Sequence, residues 1–245
     1  MRGQIEFFPG LHPSSDTLRN SPIAAVFITN ADLDHVLGLY LLRERSSLRV
    51  IAPRAVWTAV AQDLHLAETV NPFCRLDWQE TSPEFQALQN ENGDATGLKF
   101  RAIPLTAKAP PFAAHAMKEE GPHSVAYEFI DERTGGRLVV APDVAEITPG
   151  LQAAMDTANA ILFDGTFWSN DEFPKLTGKP RTAADMGHLT VRDGSLAALA
   201  ACKAGHKVYL HINNTNPILD LVAEERAAVE RAGIIVGEDG YQFDL

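Results

Sequence analysis

Short apolar runs that end in polar, chemistry-bearing side chains constrain the fold of this 245-residue chain more than any other feature. Ile23–Thr29, Ala160–Asp164 and Lys207–Ile212 are rich in apolar residues, as is typical of buried strands. Segments with helical periodicity, such as Val36–Arg45 and Asp220–Ala232, lie among these runs. Strands that alternate with helices in this way predict an α/β fold.

The middle of the chain has a different pattern. Arg75–Glu80 and Leu98–Pro104 are predicted to be strands of an antiparallel layer. Ser124–Asp131 and Arg137–Pro142 predict a hairpin that is closed by a Thr-Gly-Gly turn. Thr106–His123 is rich in Ala, Pro and Gly, and a loop of that length often serves as a lid or a binding loop.

The remaining predicted elements fit one domain that spans residues 1–245, because the composition shows no break. Three further segments have the periodicity of helices and two more have the composition of strands. The helices are Pro53–Leu66, Pro149–Ala158 and Ser195–Ala204, and the strands are Leu48–Ala52 and Ile234–Val236.

The composition excludes several classes of protein. A formal net charge of -11 disfavours a nucleic-acid binder or a protein of anionic membranes, because both need clustered Lys and Arg. The sequence has neither a long apolar stretch nor the composition of a signal peptide, which favours the cytoplasm. Cys74 and Cys202 are far apart, and we expect both to be buried apolar residues rather than parts of a zinc site or a disulfide.

Five polar clusters stand where the strands of an α/β sheet would end. Ligands bind to such sheets at the carboxyl ends of the strands, so the clusters predict a functional site. The clusters are Thr29–His35, Asp143, Asp164–Thr166, Gly187–Thr190 and His211–Asn216.

Each cluster also has a structural interpretation. Asp34 could cap the helix that follows it, and His35 and His211 could be buried histidines with satisfied hydrogen bonds. Asp143 and Asp164 could be turn residues, and the asparagines after His211 could hold a turn. The prediction of a functional site therefore depends on the five clusters taken together.

The motifs in these clusters resemble those of a known family. Thr29–His35 with Gly38-Leu39 resembles the HxHxDH…GL signature of the metallo-β-lactamase superfamily, with Asn30 and Asp32 in place of its first two histidines. Gly187-His188-Leu189 and the run from His211 to Ile218 are more specific, and they resemble the coenzyme PQQ synthesis protein B (PqqB) family. The resemblance covers essentially the whole chain.

The resemblance implies a four-layer αββα sandwich of metallo-β-lactamase type. It also implies that this chain lacks the family's N-terminal strands, which include a glycine-rich segment and a cysteine cluster that binds a structural zinc. We therefore expect no structural zinc. A sheet without those strands would have an exposed edge, which favours association into a homodimer.

The same resemblance implies a single metal ion. Asn30 and Asp32 replace the first pair of histidines, and a neutral amide is a poor ligand for zinc or iron. Asp34, His35 and His211 remain as the second metal site of the superfamily. Two histidines and one carboxylate suit Fe(II) and oxygen chemistry, although such a set also binds zinc. Asp143 is expected to be a further ligand or a hydrogen-bond partner of one.

The family further implies a role in making pyrroloquinoline quinone (PQQ), with a Glu-Tyr-derived precursor or PQQ as the small-molecule partner. One hypothesis is iron-dependent hydroxylation of the tyrosine. A second is a carrier that moves PQQ or its precursor towards the periplasm, and a third is a one-metal hydrolase.

The residues of the site receive their expected roles from this resemblance. His188 is the expected acid/base or substrate-orienting residue, and Asp32 is expected to orient His35 or to bind substrate. Four polar residues are expected to bind the substrate. They are Thr166, Asn213, Asn214 and Asn216.

Overall fold

The chain forms two compact units in the computed structural model, which describes residues 2–15, 20–90 and 92–245. Met1–Glu84, Leu88–Thr96 and Ala107–Val125 make up the first unit. Phe85–Ala87, Gly97–Thr106 and Ala126–Leu245 make up the second unit. The assignment of residues 1–245 to a single domain stays a prediction.

A parallel sheet of three strands forms the centre of the first unit, within the described residues. Its strands are β1 (Ala25–Phe27), β2 (Ser47–Ala52) and β3 (Arg75–Glu80), in the order β1-β2-β3. The sequence predicts the bounds of β3 correctly, but its placement in an antiparallel layer is wrong. A helical segment connects β2 to β3, and such a crossover brings the second strand back parallel to the first.

Short helical turns replace the long helices predicted for the first unit. Asp63 ends a π-helical turn, and His65 has a left-handed backbone with a φ of 50°, so the predicted helix Pro53–Leu66 is interrupted. The helices and turns are α1 (Arg2–Phe7), α2 (Leu33–Val36), a 3₁₀ turn (Leu37–Leu41), α3 (Arg54–Thr58), the π turn (Ala59–Asp63) and α4 (Leu66–Val70).

The predicted loop Thr106–His123 is confirmed, with one 3₁₀ turn at Ala116–Lys118 among its residues. The carboxylate of Asp63 fastens this loop. It accepts hydrogen bonds from the backbone N–H groups of His115 at 2.9 Å and Ala116 at 3.0 Å, and from His115 Nδ1 at 2.8 Å. The loop therefore has an ordered anchor on the π turn.

The larger sheet lies mostly in the second unit. Within the described residues its order is β10-β9-β8-β7-β6-β5-β4. The strands are β4 (Gln86–Gln89), β5 (Ala95–Pro104), β6 (Val125–Asp131), β7 (Arg137–Ala141), β8 (Ala160–Asp164), β9 (His206–Leu210) and β10 (Ile235–Val236). The predicted β6–β7 hairpin is confirmed, and the strands from β7 to β10 pair in parallel.

The helices of the second unit include one that the sequence analysis does not predict, α6. The helices are α5 (Pro149–Met155), α6 (Glu172–Thr177), α7 (Leu196–Ala201) and α8 (Glu224–Arg231). The hydroxyl of Thr148 caps α5 by accepting a hydrogen bond from Leu151 N. Cys74 and Cys202 are both buried, as predicted. In the described part of the chain, no helix combines the length and the apolar character needed to cross a membrane.

Candidate metal centre

Asp164 ends β8 and forms the centre of the polar cluster in the second unit. Its side chain is fully buried. Among the described residues, Oδ1 accepts bonds from Thr166 N at 2.9 Å and Thr166 Oγ1 at 2.5 Å. Oδ2 accepts bonds from Val144 N at 2.9 Å and His188 Nδ1 at 2.8 Å. These bonds use the acceptor capacity of a carboxylate, so Asp164 orients its neighbours rather than binding a metal.

The charge of Asp164 is stabilised by its neighbours. Burial alone raises its pKa, but the imidazoles of His188 and His211 and the hydroxyl of Thr166 lower the pKa to about 2. Asp164 is therefore an anion at neutral pH, held in a site from which water is excluded.

His188 forms a carboxylate–imidazole pair with Asp164. Burial lowers its pKa, but Asp164 and Asp143 outweigh burial and raise the pKa above its ordinary value of 6.5. Asp143 Oδ1 lies 3.4 Å from the same Nδ1 atom. Because Nδ1 is bound to Asp164, Nε2 is the nitrogen that can exchange a proton with a ligand. A buried anion thus orients the imidazole of His188, and its expected acid/base role stays a prediction.

His211 directly follows β9 and has a left-handed backbone with a φ of 56°. Left-handed residues other than glycine are uncommon and concentrate at functional sites. His211 Nδ1 lies 2.8 Å from the hydroxyl of Thr166, whose own proton is donated to Asp164. Nδ1 of His211 can therefore donate to Thr166, which leaves the lone pair of Nε2 available to a ligand.

Ligand atoms of Asp164, His188 and His211 lie within 4.8 Å of one another, which is close enough for a shared metal ion. The hydrogen bonds already described favour a different interpretation. Asp164 holds His188 directly and His211 through the hydroxyl of Thr166, so the imidazoles are left to present nitrogen atoms to a ligand.

The loop after β8 and the loop after β9 are bonded to each other. Asn213 N donates to Thr166 O at 3.2 Å, and Asn216 Nδ2 donates to Gly165 O at 2.8 Å. Asn216 is 2% exposed, and its Oδ1 accepts a bond from Ile218 N. Asn216 and Thr166 therefore help to hold these loops. The predicted binding of substrate by Thr166, Asn213, Asn214 and Asn216 stays a prediction.

The first unit contains Asp34 and His35, which lie at the turn from β1 to α2. His35 Nδ1 lies 3.0 Å from the hydroxyl of Thr29, and His35 Nε2 lies 3.8 Å from Asp34 Oδ2. Asp32 occupies the N-cap of α2, so Asp34 lies inside the helix and the capping interpretation of Asp34 is excluded. Its side chain is 68% exposed and can reach a ligand.

Asn30 takes a structural position at the start of this turn. It is 4% exposed, and its Oδ1 accepts a hydrogen bond from Asp32 N at 2.9 Å. Its backbone also pairs with Ser124 in an isolated antiparallel bridge. A side chain used in this way is a turn-forming residue, which agrees with the expected loss of the first metal position.

The structure thus brings Asp143, His188 and His211 together around Asp164 in one unit, and it places Asp34 and His35 side by side in the other. The metal site of Asp34, His35 and His211 stays a prediction. The sequence analysis does not identify Asp164 or Thr29 as orienting residues. The useful signal is their position, because each lies within one or two residues of the end of a strand.

Comparisons with known proteins agree with these motifs. Residues 1–212 match the model of the β-lactamase superfamily domain. Coenzyme PQQ synthesis protein B of Azoarcus sp. (strain BH72) is 35% identical over 256 residues, covering 99% of this chain and 80% of that protein. The protein of the same name from Pseudomonas putida (strain KT2440) is 34% identical, covering 100% of this chain and 80% of that protein.

Solved structures show the same relationship. Zinc-bound PqqB from Methylobacterium extorquens is similar with a TM-score of 0.85 and 32% identity, covering 100% of this chain and 80% of that one. A diphosphatase of the PhnP family has a TM-score of 0.58 at 19% identity, which shows the fold alone. The predicted α/β fold of metallo-β-lactamase type is confirmed. The chain belongs to the coenzyme PQQ synthesis protein B family of PQQ biosynthesis proteins, within the β-lactamase superfamily.

Proposed function

We propose that this protein is a non-haem iron-dependent hydroxylase that acts on the tyrosine of a Glu-Tyr precursor of PQQ. The observation that carries the proposal is the way two histidines are held. Nδ1 of His35 is bonded to a threonine hydroxyl at 3.0 Å, and Nδ1 of His211 is bonded to another at 2.8 Å. Hydrogen bonds of this kind fix the ring and the tautomer of histidines that bind metals through Nε2.

The donor atoms fit a divalent ion. Asp34 Oδ2 and His35 Nε2 are 3.8 Å apart, and ligand atoms that share one ion are roughly 3–4 Å apart given metal–ligand bonds of about 2.1 Å. We propose Asp34, His35 and His211 as the ligands, with Asp143 beside them. Two imidazoles and one carboxylate suit Fe(II), and zinc can bind the same donors.

Iron, when bound, would activate O₂ for attack on the phenol ring. One oxygen atom enters the ring and the other leaves as water, which requires two protons and two electrons from an added reductant. Nε2 of His188 would exchange a proton with the phenol, since Nδ1 is held by Asp164. Asn213 and Asn214 would bind the carboxylates of the dipeptide, and Asp32 would bind its amine or orient His35.

The test is a turnover experiment under controlled oxygen. Protein purified without oxygen is loaded with Fe(II) and supplied with Glu-Tyr, a reductant and ¹⁸O₂. We expect a product that carries one added ¹⁸O atom, detected by mass spectrometry. Zinc-loaded protein is the matched control, and it should yield no product because zinc has no redox chemistry.

The alternative is a carrier that binds PQQ or its precursor without turnover, for delivery towards the periplasm. An unchanged dipeptide in the presence of bound iron, together with tight binding of PQQ, would support the carrier and contradict the hydroxylase.

A further inference from the structure

Glu172, the first residue of α6, connects the loop after β8 to the loop after β9. The residue is 6% exposed. Its Oε2 accepts a hydrogen bond from Trp168 N at 2.6 Å, and its Oε1 accepts one from the hydroxyl of Thr215 at 2.6 Å. Buried carboxylates are costly unless both oxygens are satisfied, and here each oxygen binds a different loop.

The loop after β9 carries His211, whose backbone is left-handed. Such a conformation persists only where the surroundings hold it. Near its beginning the loop is held by the bond from Asn213 N to Thr166 O. Four residues after His211, Thr215 is the point at which the carboxylate of Glu172 holds the same loop.

We propose that Glu172, acting through Thr215, is a positioning residue that keeps the imidazole of His211 in its metal-binding orientation. Glu172 is not a ligand, because both of its oxygens are bonded within the two loops. The inference rests on the proposed role of His211 as a metal ligand. In this proposal the bond between Thr215 and Glu172 supports the orientation of His211 in addition to the hydrogen bond between His211 and Thr166.

Thr215→Val tests this role, since valine keeps the shape of threonine and removes the hydroxyl. Thr215→Ser is the rescue variant, since serine restores the donor. Thr58→Val is the matched control, because Thr58 also donates to a glutamate, Glu119 at 3.0 Å, but in the other unit. Each full-length variant is titrated with Zn²⁺ against a chromophoric chelator. The absorption spectrum of the Co²⁺ form and the thermal midpoint are measured in parallel.

We expect Thr215→Val to weaken Zn²⁺ binding by about tenfold and to alter the Co²⁺ spectrum. Mutation of residues that orient metal ligands through hydrogen bonds commonly causes a loss of this size. Thr215→Ser should bind Zn²⁺ within about threefold of the unchanged protein, and so should Thr58→Val. If Thr215→Val does not fold, Thr215→Ala replaces it, since alanine also lacks the hydroxyl that donates to Glu172. In that case the same tenfold loss is expected.

His211→Ala separates this inference from the proposed metal site. If His211→Ala binds Zn²⁺ as tightly as the unchanged protein does, the ligand assignment fails. If His211→Ala loses the metal while Thr215→Val keeps full affinity and an unchanged Co²⁺ spectrum, the positioning role is overturned. A failure of Thr215→Ser to restore affinity would also overturn it.

Discussion

The Nδ1 atom of His188 lies 2.8 Å from Oδ2 of Asp164, and this bond fixes which nitrogen of the imidazole can act on a ligand. The carboxylate is fully buried and bound on both oxygens, so it cannot turn away. The imidazole is therefore held in one orientation, as efficient proton transfer to a ligand would require.

Replacement of Asp164 by asparagine should destabilise the protein by about 3 kcal/mol, because an amide nitrogen would face donors that now bind an anion. The free energy of unfolding in urea measures this loss. Asp171→Asn is the control, since that carboxylate is 51% exposed and paired with Lys175 on the surface. The control should change the free energy by less than about 0.5 kcal/mol. Equal losses in the two variants would contradict the central role of Asp164.

The stability of the metal-free protein should fall both at acidic pH, because of Asp164, and at alkaline pH, because of His188. Asp164 has a folded pKa of about 2 against an ordinary value of 3.8, so its contribution is complete above pH 4 and is lost as the pH falls towards 2. The pKa of His188 is raised above 6.5, so its contribution is complete below pH 6.5 and is lost as the pH rises through the folded pKa.

Urea denaturation in the presence of a chelator, at intervals from pH 2 to pH 9, measures this dependence. The His188→Gln variant should lack the loss on the alkaline side that is due to His188. A variant with the same alkaline loss as the unchanged protein would show that another group causes it.

His188 and His211, both in the second unit, should respond differently to replacement by alanine. His211→Ala should abolish metal binding, because it removes a proposed ligand. His188→Ala should retain the metal within about threefold but lose roughly 10²–10⁴ in hydroxylation rate, the usual contribution of an acid/base residue. Metal content by mass spectrometry and turnover with Glu-Tyr distinguish the two. Loss of the metal in His188→Ala would make that residue a ligand instead.

Gly165→Ala should destabilise the chain by about 1–3 kcal/mol, because there is no room for a methyl group. A Cβ atom at that position would lie 2.9 Å from Tyr209 Cβ and 3.2 Å from Ile212 Cγ1. Gly205→Ala is the control, since the nearest atom would be Asn159 O at 3.9 Å. Thermal unfolding compares the two variants. A Gly165→Ala variant of unchanged stability would show that the loop after β8 and the loop after β9 can move apart without a loss of free energy of unfolding.

The sequence predicts the bounds of some strands and misses others. The bounds of β8 are as predicted, and a short apolar run bordered by polar residues is typical of a buried central strand. Gln86–Gln89, at the edge of the larger sheet, is not predicted because its composition is half polar. The direction of β3 depends on the crossover that precedes it, and the polar composition of this strand does not indicate its parallel pairing.

The candidate site also has features that the sequence predicts and features that it does not. The clusters at Asp164 and His211 are predictable because parallel strands end at one edge of a sheet. Which residue orients and which binds depends on hydrogen bonds between loops that are distant in sequence. The four bonds to Asp164 come from residues 144, 166 and 188, and no local pattern predicts their convergence.

The anchor of the long loop on Asp63 has an entropic consequence. The three hydrogen bonds to His115 and Ala116 restrict the loop during folding, so a ligand that contacts it need not restrict it again. Removal of the anchor would transfer that loss of chain entropy from folding to binding. The backbone at His115 and Ala116 is then constrained, whereas the exposed side chains of Phe112 and Met117 take no part in these three bonds.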